Sequence, residues 1–134
     1  MLHVICGLMG SGKSTYARKH YRKVLEFERF RAKDLQISKA QELLDKGEDI
    51  AYVTCYPTSE EREFFGSLPK CSVEYILIDT DIRQARQNII KCGRKSDHDV
   101  LETRFETNKK LARLIAGSSI PFHRVEIFRT NERW

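Results

Sequence analysis

Short apolar runs alternate with longer segments of helical periodicity along most of the chain. The apolar runs predict five β-strands, at Leu2 to Cys6, Val24 to Phe27, Ile50 to Cys55, Val73 to Ile78 and Arg124 to Phe128. The segments between them predict five helices, at Lys13 to Tyr21, Leu35 to Lys46, Ser59 to Phe65, Ile82 to Cys92 and Val100 to Ala116. Residues typical of helix ends agree, with Ser59 as an expected N-cap and Gly47 and Gly117 following two of the helices.

This alternation of strands and helices indicates an α/β protein. Parallel neighbours in a sheet need long crossover connections, and helices usually provide them. We therefore expect a three-layer sandwich, in which helices cover both faces of a five-stranded, mostly parallel sheet. Ligands of such sheets bind at the carboxyl ends of the strands, so functional residues should follow Cys6, Phe27, Cys55 and Ile78.

The segment after the first strand, GLMGSGKST, matches the phosphate-binding pattern G-x-x-x-x-G-K-[ST]. Its glycines allow successive backbone N–H groups to point inward around an anion, and the following helix adds positive partial charge. The pattern predicts that Lys13 reaches the β- and γ-phosphate oxygens of a nucleotide and that the Ser14 hydroxyl holds Mg²⁺. The predicted nucleotide contacts are Gly7, Leu8, Met9, Gly10, Ser11, Gly12, Lys13, Ser14 and Thr15. The alternative is an ordinary glycine-rich turn, which requires neither the lysine nor the hydroxyl.

Charged residues follow the second and third predicted strands. Glu28 is placed to accept a proton from an acceptor hydroxyl, and Arg31 to hold an anionic group of the substrate. The alternative for both is a charged surface turn, and Asp34 is better explained as the cap of the next helix. Arg62, after the third strand, is a candidate substrate contact within a segment that a helix start otherwise explains.

The fourth strand is followed first by acids and then by a dense cationic stretch. Asp79 and Asp81 either cap the next helix or position water around Mg²⁺. Residues 83–99 carry several arginines and lysines, and a small cationic lid would stabilise a migrating phosphoryl group while excluding water. Arg94, beside Gly93, is the best candidate within this predicted lid. The alternative is a solvated helix face.

Composition limits the class of protein. A chain of 134 residues is long enough for one domain and too short for two. Four cysteines without a paired or zinc-binding spacing, together with no apolar stretch long enough for a membrane span, predict a reduced, cytoplasmic protein without membrane association. The net charge of +5 favours an acidic partner such as a nucleotide or a nucleic acid, although a mildly basic surface without a polymer partner explains it equally well.

Several motifs in order resemble the small kinases related to the phage-type polynucleotide 5′-kinase. They are the loop GLMGSGKST followed by YARKH, the helix-to-strand segment LLDKGEDIAYV, the helix start PTSEEREFF, and the arginine-rich stretch KCGRKSDHDVLETRFE. The resemblance implies that ATP is the phosphate donor, that Mg²⁺ is required, and that a hydroxyl is the acceptor. It also implies a carboxylate base after the second strand, which by position is Glu28 with Arg31 beyond it, and a lid arginine, which is Arg94.

The sequence departs from this family in two places. The third strand of the family commonly ends in an acid, whereas here it reads Val53-Thr54-Cys55-Tyr56. The position of the base carries Glu28 where the family has Asp, which changes the reach by one methylene. Either departure implies different support for Mg²⁺, a different acceptor, or weaker catalysis.

The leading hypothesis is a single P-loop kinase domain over residues 1–134 that transfers the γ-phosphoryl group of ATP to a hydroxyl of a nucleic-acid or nucleotide-like acceptor. Lys13, Arg94 and Glu28 are its predicted catalytic residues, with Arg31 and Arg62 binding the substrate. A nucleoside or nucleoside monophosphate kinase is the closest alternative. An ATPase or switch acting through a protein partner, and a non-catalytic nucleic-acid-binding module, are alternatives from other classes.

Overall fold

The computed structural model describes residues 1–26, 32–91 and 98–126, with the backbone alone for 98–100. The strands are β1 (Leu2–Gly7), β2 (Val24–Glu26), β3 (Ile50–Val53), β4 (Val73–Asp79) and β5 (His123–Glu126). The helices are α1 (Lys13–His20), α2 (Lys33–Asp45), α3 (Ser59–Gly66), α4 (Ile82–Lys91) and α5 (His98–Ala116), and a short 3₁₀ turn covers Lys70–Ser72. This element order is the alternation of strands and helices that the sequence predicts.

The strands form one parallel sheet in the order β2-β3-β1-β4-β5. The predicted α/β class and the five-stranded parallel sheet are therefore confirmed. In the central strand, Leu2 lies opposite Ile50 on one side and Val73 on the other. The chain crosses from one side of β1 to the other between β3 and β4, so the order reverses around β1. Such a reversal opens a crevice at the carboxyl end of the central strand, and β1 leads into the phosphate-binding motif there.

The sheet is buried on both faces because alternate residues of β1 belong to different apolar clusters. Val4 and Cys6 pack with Ala40 of α2 and Phe65 of α3 on one face. Ile5 packs with Ala17 of α1 on the other. Both faces of a parallel sheet must be covered when its strands are this apolar. The helices therefore lie on both sides of the sheet, as predicted.

The ends of two helices differ from the sequence expectation. Helix α2 begins at Lys33 with Ala32 as its N-cap, so Asp34 is not the cap but lies in the first turn, where a carboxylate is also favourable next to the helix dipole. Helix α3 is capped by Thr58 rather than Ser59. The Thr58 hydroxyl accepts from the Glu61 amide at 3.2 Å, and the Glu61 carboxylate accepts from the Thr58 amide at 2.9 Å. This reciprocal capping box needs a glutamate three residues after the cap. Thr58 has Glu61 at that position, whereas Ser59 has Arg62.

A buried side chain ties the carboxyl ends of β2 and β3 together. Gln36 of α2 is fully buried, and its amide donates to the carbonyl oxygens of Leu25 at 3.0 Å and Val53 at 3.1 Å. Buried carbonyl groups require such partners. Gln36 thereby holds together the carboxyl ends of the two strands at which the candidate site lies. In the described part of the chain, no helix has the length and apolarity to cross a membrane.

Alkaline pH should destabilise the fold. Burial raises the pKa of the Cys6 thiol far above its ordinary value of 9.0. Burial and then the neighbouring Glu61 carboxylate raise the pKa of Tyr52 above 10.0, and burial raises that of Tyr21 to about 12. Groups with a raised folded-state pKa lose their protons first in the unfolded chain, so they stabilise the fold below pH 9 and this stabilisation is lost as pH rises.

We therefore expect the free energy of unfolding, measured in urea, to fall steadily between about pH 8 and pH 11. In a Cys6→Ala variant, the free energy of unfolding should begin to fall at a higher pH than in the wild type, closer to the pH at which tyrosines titrate. A free energy of unfolding that stays constant or rises over this interval would contradict the assignment.

Candidate active site

The phosphate-binding motif forms a tight loop between β1 and α1. Gly10 and Gly12 have φ angles of 81° and 90°, in the left-handed region that glycine adopts without strain. The Lys13 ammonium donates to the Leu8 carbonyl at 3.2 Å, so its side chain folds back over the loop. The Gly7 amide donates to the Cys55 carbonyl at 3.1 Å and joins the start of the loop to the segment after β3. The motif therefore forms a tight turn that leads directly from β1 into α1.

A cavity of about 840 Å³ opens at this loop. Its wall includes six of the nine residues predicted to contact the nucleotide, namely Met9, Gly10, Gly12, Lys13, Ser14 and Thr15. Gly7, Leu8 and Ser11 lie behind this wall, and Leu8 and Ser11 are buried. Ligand sites for small molecules commonly have volumes of roughly 300–1,000 Å³, so the cavity is large enough for a nucleotide.

A buried carboxylate stands at the carboxyl end of β2 and lines the same cavity. The Glu26 side chain is 8% exposed, and Arg18 of α1 donates to both of its oxygens, at 2.9 and 2.8 Å. Both residues line the cavity. Both bonds come from the same Nη2 nitrogen of Arg18, and such charge-assisted hydrogen bonds restrain the carboxylate. Sequence reasoning missed Glu26 because it lay inside the predicted strand.

A second buried carboxylate reaches the carboxyl end of β3 from helix α3. Glu61 is fully buried, accepts from the Thr54 hydroxyl at 3.1 Å, and lies 3.1 Å from the Lys33 ammonium. The same ammonium donates to the Thr54 hydroxyl at 3.1 Å. Thr54 and Lys33 line the cavity. The third strand thus ends without an acid of its own, but a neighbouring helix places one beneath that position.

The structure does not test four of the predicted site residues. Glu28, Arg31 and Arg94 lie outside the described residues, and their roles stay predictions. Arg62 is exposed on α3 and is not part of the cavity wall. Its assignment as a substrate contact therefore also stays a prediction.

The acids after β4 have local partners. Asp81 accepts from the Gln84 amide at 2.8 Å, as a cap of α4 does, and Asp79 pairs with Arg124 of β5 at 2.9 Å. The cap interpretation offered for Asp81 thus accounts for its contact.

Among its described residues, the cationic stretch from residue 83 onward includes an arginine that contacts the neighbouring helix. Arg86 of α4 lies over the ring of Phe105 on α5, 4.5 Å from its centroid. Arg104 of α5, beyond the predicted lid, lines the cavity instead. An arginine in the cavity wall can contact an anionic or aromatic group of a bound nucleotide. Nothing in the surrounding sequence distinguishes Arg104, since it is one of many cations on a helix.

Solved structures with this fold include that of a deoxyadenosine kinase from M. mycoides with bound dATP. It superposes with a TM-score of 0.53 and 18% identity, over 94% of this chain and 91% of that chain. The chain shares the fold of this enzyme. An uncharacterised protein from Eubacterium ventriosum is also similar, with a TM-score of 0.58 and 16% identity, over 96% of this chain and 89% of that chain. No family model and no curated protein matches the sequence.

Replacing Gly10 should distort the loop, and Gly47 offers a matched control. Both glycines have a φ near 80°, so alanine at either position costs about 1–2 kcal/mol of backbone strain. A Cβ on Gly10 would also lie 2.6 Å from the Ala85 carbonyl oxygen, whereas one on Gly47 would meet nothing within 4 Å. We expect Gly10→Ala to destabilise the protein by roughly 2 kcal/mol more than Gly47→Ala, as measured by urea unfolding. Equal losses in the two variants would contradict the close packing of the loop on α4.

Proposed function

We propose that the protein is a kinase that transfers the γ-phosphoryl group of ATP to a hydroxyl of a nucleoside or nucleotide. One observation carries the proposal: the predicted phosphate loop opens into a cavity that is also lined by a buried carboxylate, Glu26, which is paired with Arg18. A phosphate cradle and a paired acid in one cavity are what transfer between two bound substrates needs. The fold shared with a deoxyadenosine kinase supports a nucleoside-type acceptor over a polynucleotide.

The residues at the loop would bind the donor. The backbone amides around Gly12 and the first turn of α1 would hold the β- and γ-phosphates, and Lys13 would turn from the Leu8 carbonyl toward their oxygens. Phosphoryl transfer has a loose transition state, so catalysis depends mainly on positioning and on stabilising negative charge. Arg104 in the described wall, together with the predicted lid residue Arg94, would add positive charge.

Mg²⁺ fits this donor site. The Ser14 hydroxyl lies in the cavity wall beside Lys13 and would hold the ion, which would neutralise phosphate charge when bound. Among the described residues, no three acidic, histidine or cysteine side chains gather as a ready-made metal site. Mg²⁺ needs no such cage, because water and substrate phosphates commonly supply most of its ligands.

The acceptor would bind between the loop and the ends of β2 and β3. Glu26 would orient the acceptor hydroxyl and take its proton as the oxygen bonds to the γ-phosphorus and the β–γ bridge breaks. The sequence also offers Glu28 for this role, with Arg31 near the substrate. Glu26 is the carboxylate that the described cavity presents, so it is the first to test.

A labelling experiment tests the function. The protein would be incubated with Mg²⁺, γ-labelled ATP and, in parallel, deoxyadenosine and other nucleosides, nucleoside monophosphates, a 5′-hydroxyl oligonucleotide, or water alone. We expect label on a nucleoside or nucleotide, and a loss of about 100-fold or more in Lys13→Ala. Lys19→Ala, on the exposed side of the same helix, is the matched control and should keep full activity. Label on the oligonucleotide alone would favour the polynucleotide kinase hypothesis, and release of free phosphate alone would favour the switch hypothesis.

Glu26→Gln tests the proposed base. The amide keeps the shape of the side chain but cannot take a proton, so we expect kcat to fall by about 100-fold while the KM for ATP changes little. Glu48 precedes β3 and so lies at the amino end of that strand, away from the site. Glu48→Gln should therefore behave as the wild type. An unchanged kcat in Glu26→Gln would remove Glu26 from the mechanism and leave Glu28 as the candidate.

A further inference from the structure

A loop whose amides face an anion has a second requirement, which concerns its carbonyl groups. When successive N–H groups point inward to a ligand, the carbonyl oxygens between them point away from it and into the protein. Buried carbonyl oxygens need hydrogen-bond donors, and leaving one without a partner is costly. The residues that supply these donors therefore affect the shape of the anion site without touching the anion.

Asn108 of α5 satisfies both backbone groups of Met9. Its side-chain amide donates to the Met9 carbonyl at 2.9 Å, and its side-chain oxygen accepts from the Met9 amide at 2.8 Å. The side chain is 1% exposed, so water does not compete for these bonds. Asn108 thus pairs with the loop backbone as a neighbouring strand would.

The next two carbonyl groups along the loop are bonded in the same manner. The Gly10 carbonyl accepts from the Asn88 side chain of α4 at 3.0 Å, and Gln84 orients Asn88 by donating to its oxygen at 3.2 Å. The Ser11 carbonyl accepts from the hydroxyl of Thr80, which follows β4, at 3.2 Å. Asn88 and Thr80 are both buried, at 5% exposure each.

We propose that Thr80, Asn88 and Asn108 are positioning residues that hold the backbone of the predicted phosphate loop in the shape that binds the nucleotide. We call these three residues the carbonyl cradle. They lie 69, 78 and 99 residues away from the loop residues that they bond, yet they reach three consecutive carbonyl groups of the same loop. General stabilisation of the core does not require donors at consecutive positions of one loop. This proposal rests on the proposed function in one respect, which is that the loop binds a nucleoside triphosphate.

The cradle also connects the loop to the helices on either side of residues 92–97. Asn88 lies near the end of α4, and Asn108 lies in the middle of α5. Leu8, Ala85 and Leu111 form an apolar cluster between the loop and these helices. Movement of either helix would therefore change the hydrogen bonds of the loop.

Thr80 provides the cleanest test because valine has the same shape and lacks the donor. The measurement is the calorimetric Kd of Mg²⁺-ATP for each variant, accompanied by thermal unfolding without nucleotide. We expect Thr80→Val to raise the Kd by about five- to tenfold, since one loop carbonyl loses its partner. Thr80→Ser keeps the hydroxyl and should restore the wild-type affinity. Thr107→Val on α5 is the matched control, because the Thr107 hydroxyl bonds the Thr103 carbonyl one turn earlier in its own helix.

Asn108→Asp gives an independent test at the other end of the cradle. The carboxylate keeps the acceptor for the Met9 amide but places an oxygen against the Met9 carbonyl, so we expect the Kd of Mg²⁺-ATP to rise at least tenfold. Tight ATP binding by the wild type together with unchanged Kd values in both variants, even with lower unfolding temperatures, would overturn the cradle and leave the proposed function intact. No ATP binding by the wild type would overturn the proposed function as well.

Discussion

The candidate site depends on the orientation of the peptide groups in the phosphate loop. The loop can turn amides toward a phosphate only if its carbonyl groups find donors in the protein, and Lys13, Thr80, Asn88 and Asn108 provide them. The positive φ angles of Gly10 and Gly12 make this backbone path possible. Residues distant in the sequence therefore fix the backbone of a nine-residue motif.

Paired charges lie at the carboxyl ends of β2 and β3. Arg18 holds Glu26 at the end of β2, and Lys33 lies beside Glu61 at the end of β3. Buried carboxylates are costly without such partners, so each pair fixes both of its side chains in place. A cavity lined both by a lysine-bearing loop and by a paired acid suits transfer of a phosphoryl group to a hydroxyl.

Contiguous features of the sequence predicted the structure well. The alternation of apolar runs and helices predicted the sheet, because each element carries its own periodicity. The loop was predictable because its requirements for glycine, lysine and hydroxyl fall within nine neighbouring residues. The capping box of Thr58 and Glu61 was also encoded locally, although Ser59 competed as the cap.

Features that join distant segments were not predictable. Asn88 and Asn108 are single polar residues on helices, and nothing in their surrounding sequence distinguishes them from solvated asparagines. Glu61 has a local signature as part of a cap, but its contact with Lys33 depends on how α2 and α3 pack. Glu26 was missed because it lies inside the predicted strand, whereas site residues were sought after the strand ends.

The central claim is that the backbone amides of the loop bind nucleotide phosphates. Backbone amide spectra of ¹⁵N-labelled protein, recorded with and without Mg²⁺-ATP, test this claim most directly. The account predicts that the largest shifts occur at Gly10, Gly12, Lys13, Ser14 and Thr15, with smaller changes at the Asn88 and Asn108 side-chain amides. Saturable binding that shifts residues elsewhere, for example around the separate surface pocket near Tyr21 and Asp49, and leaves the loop unchanged would contradict it.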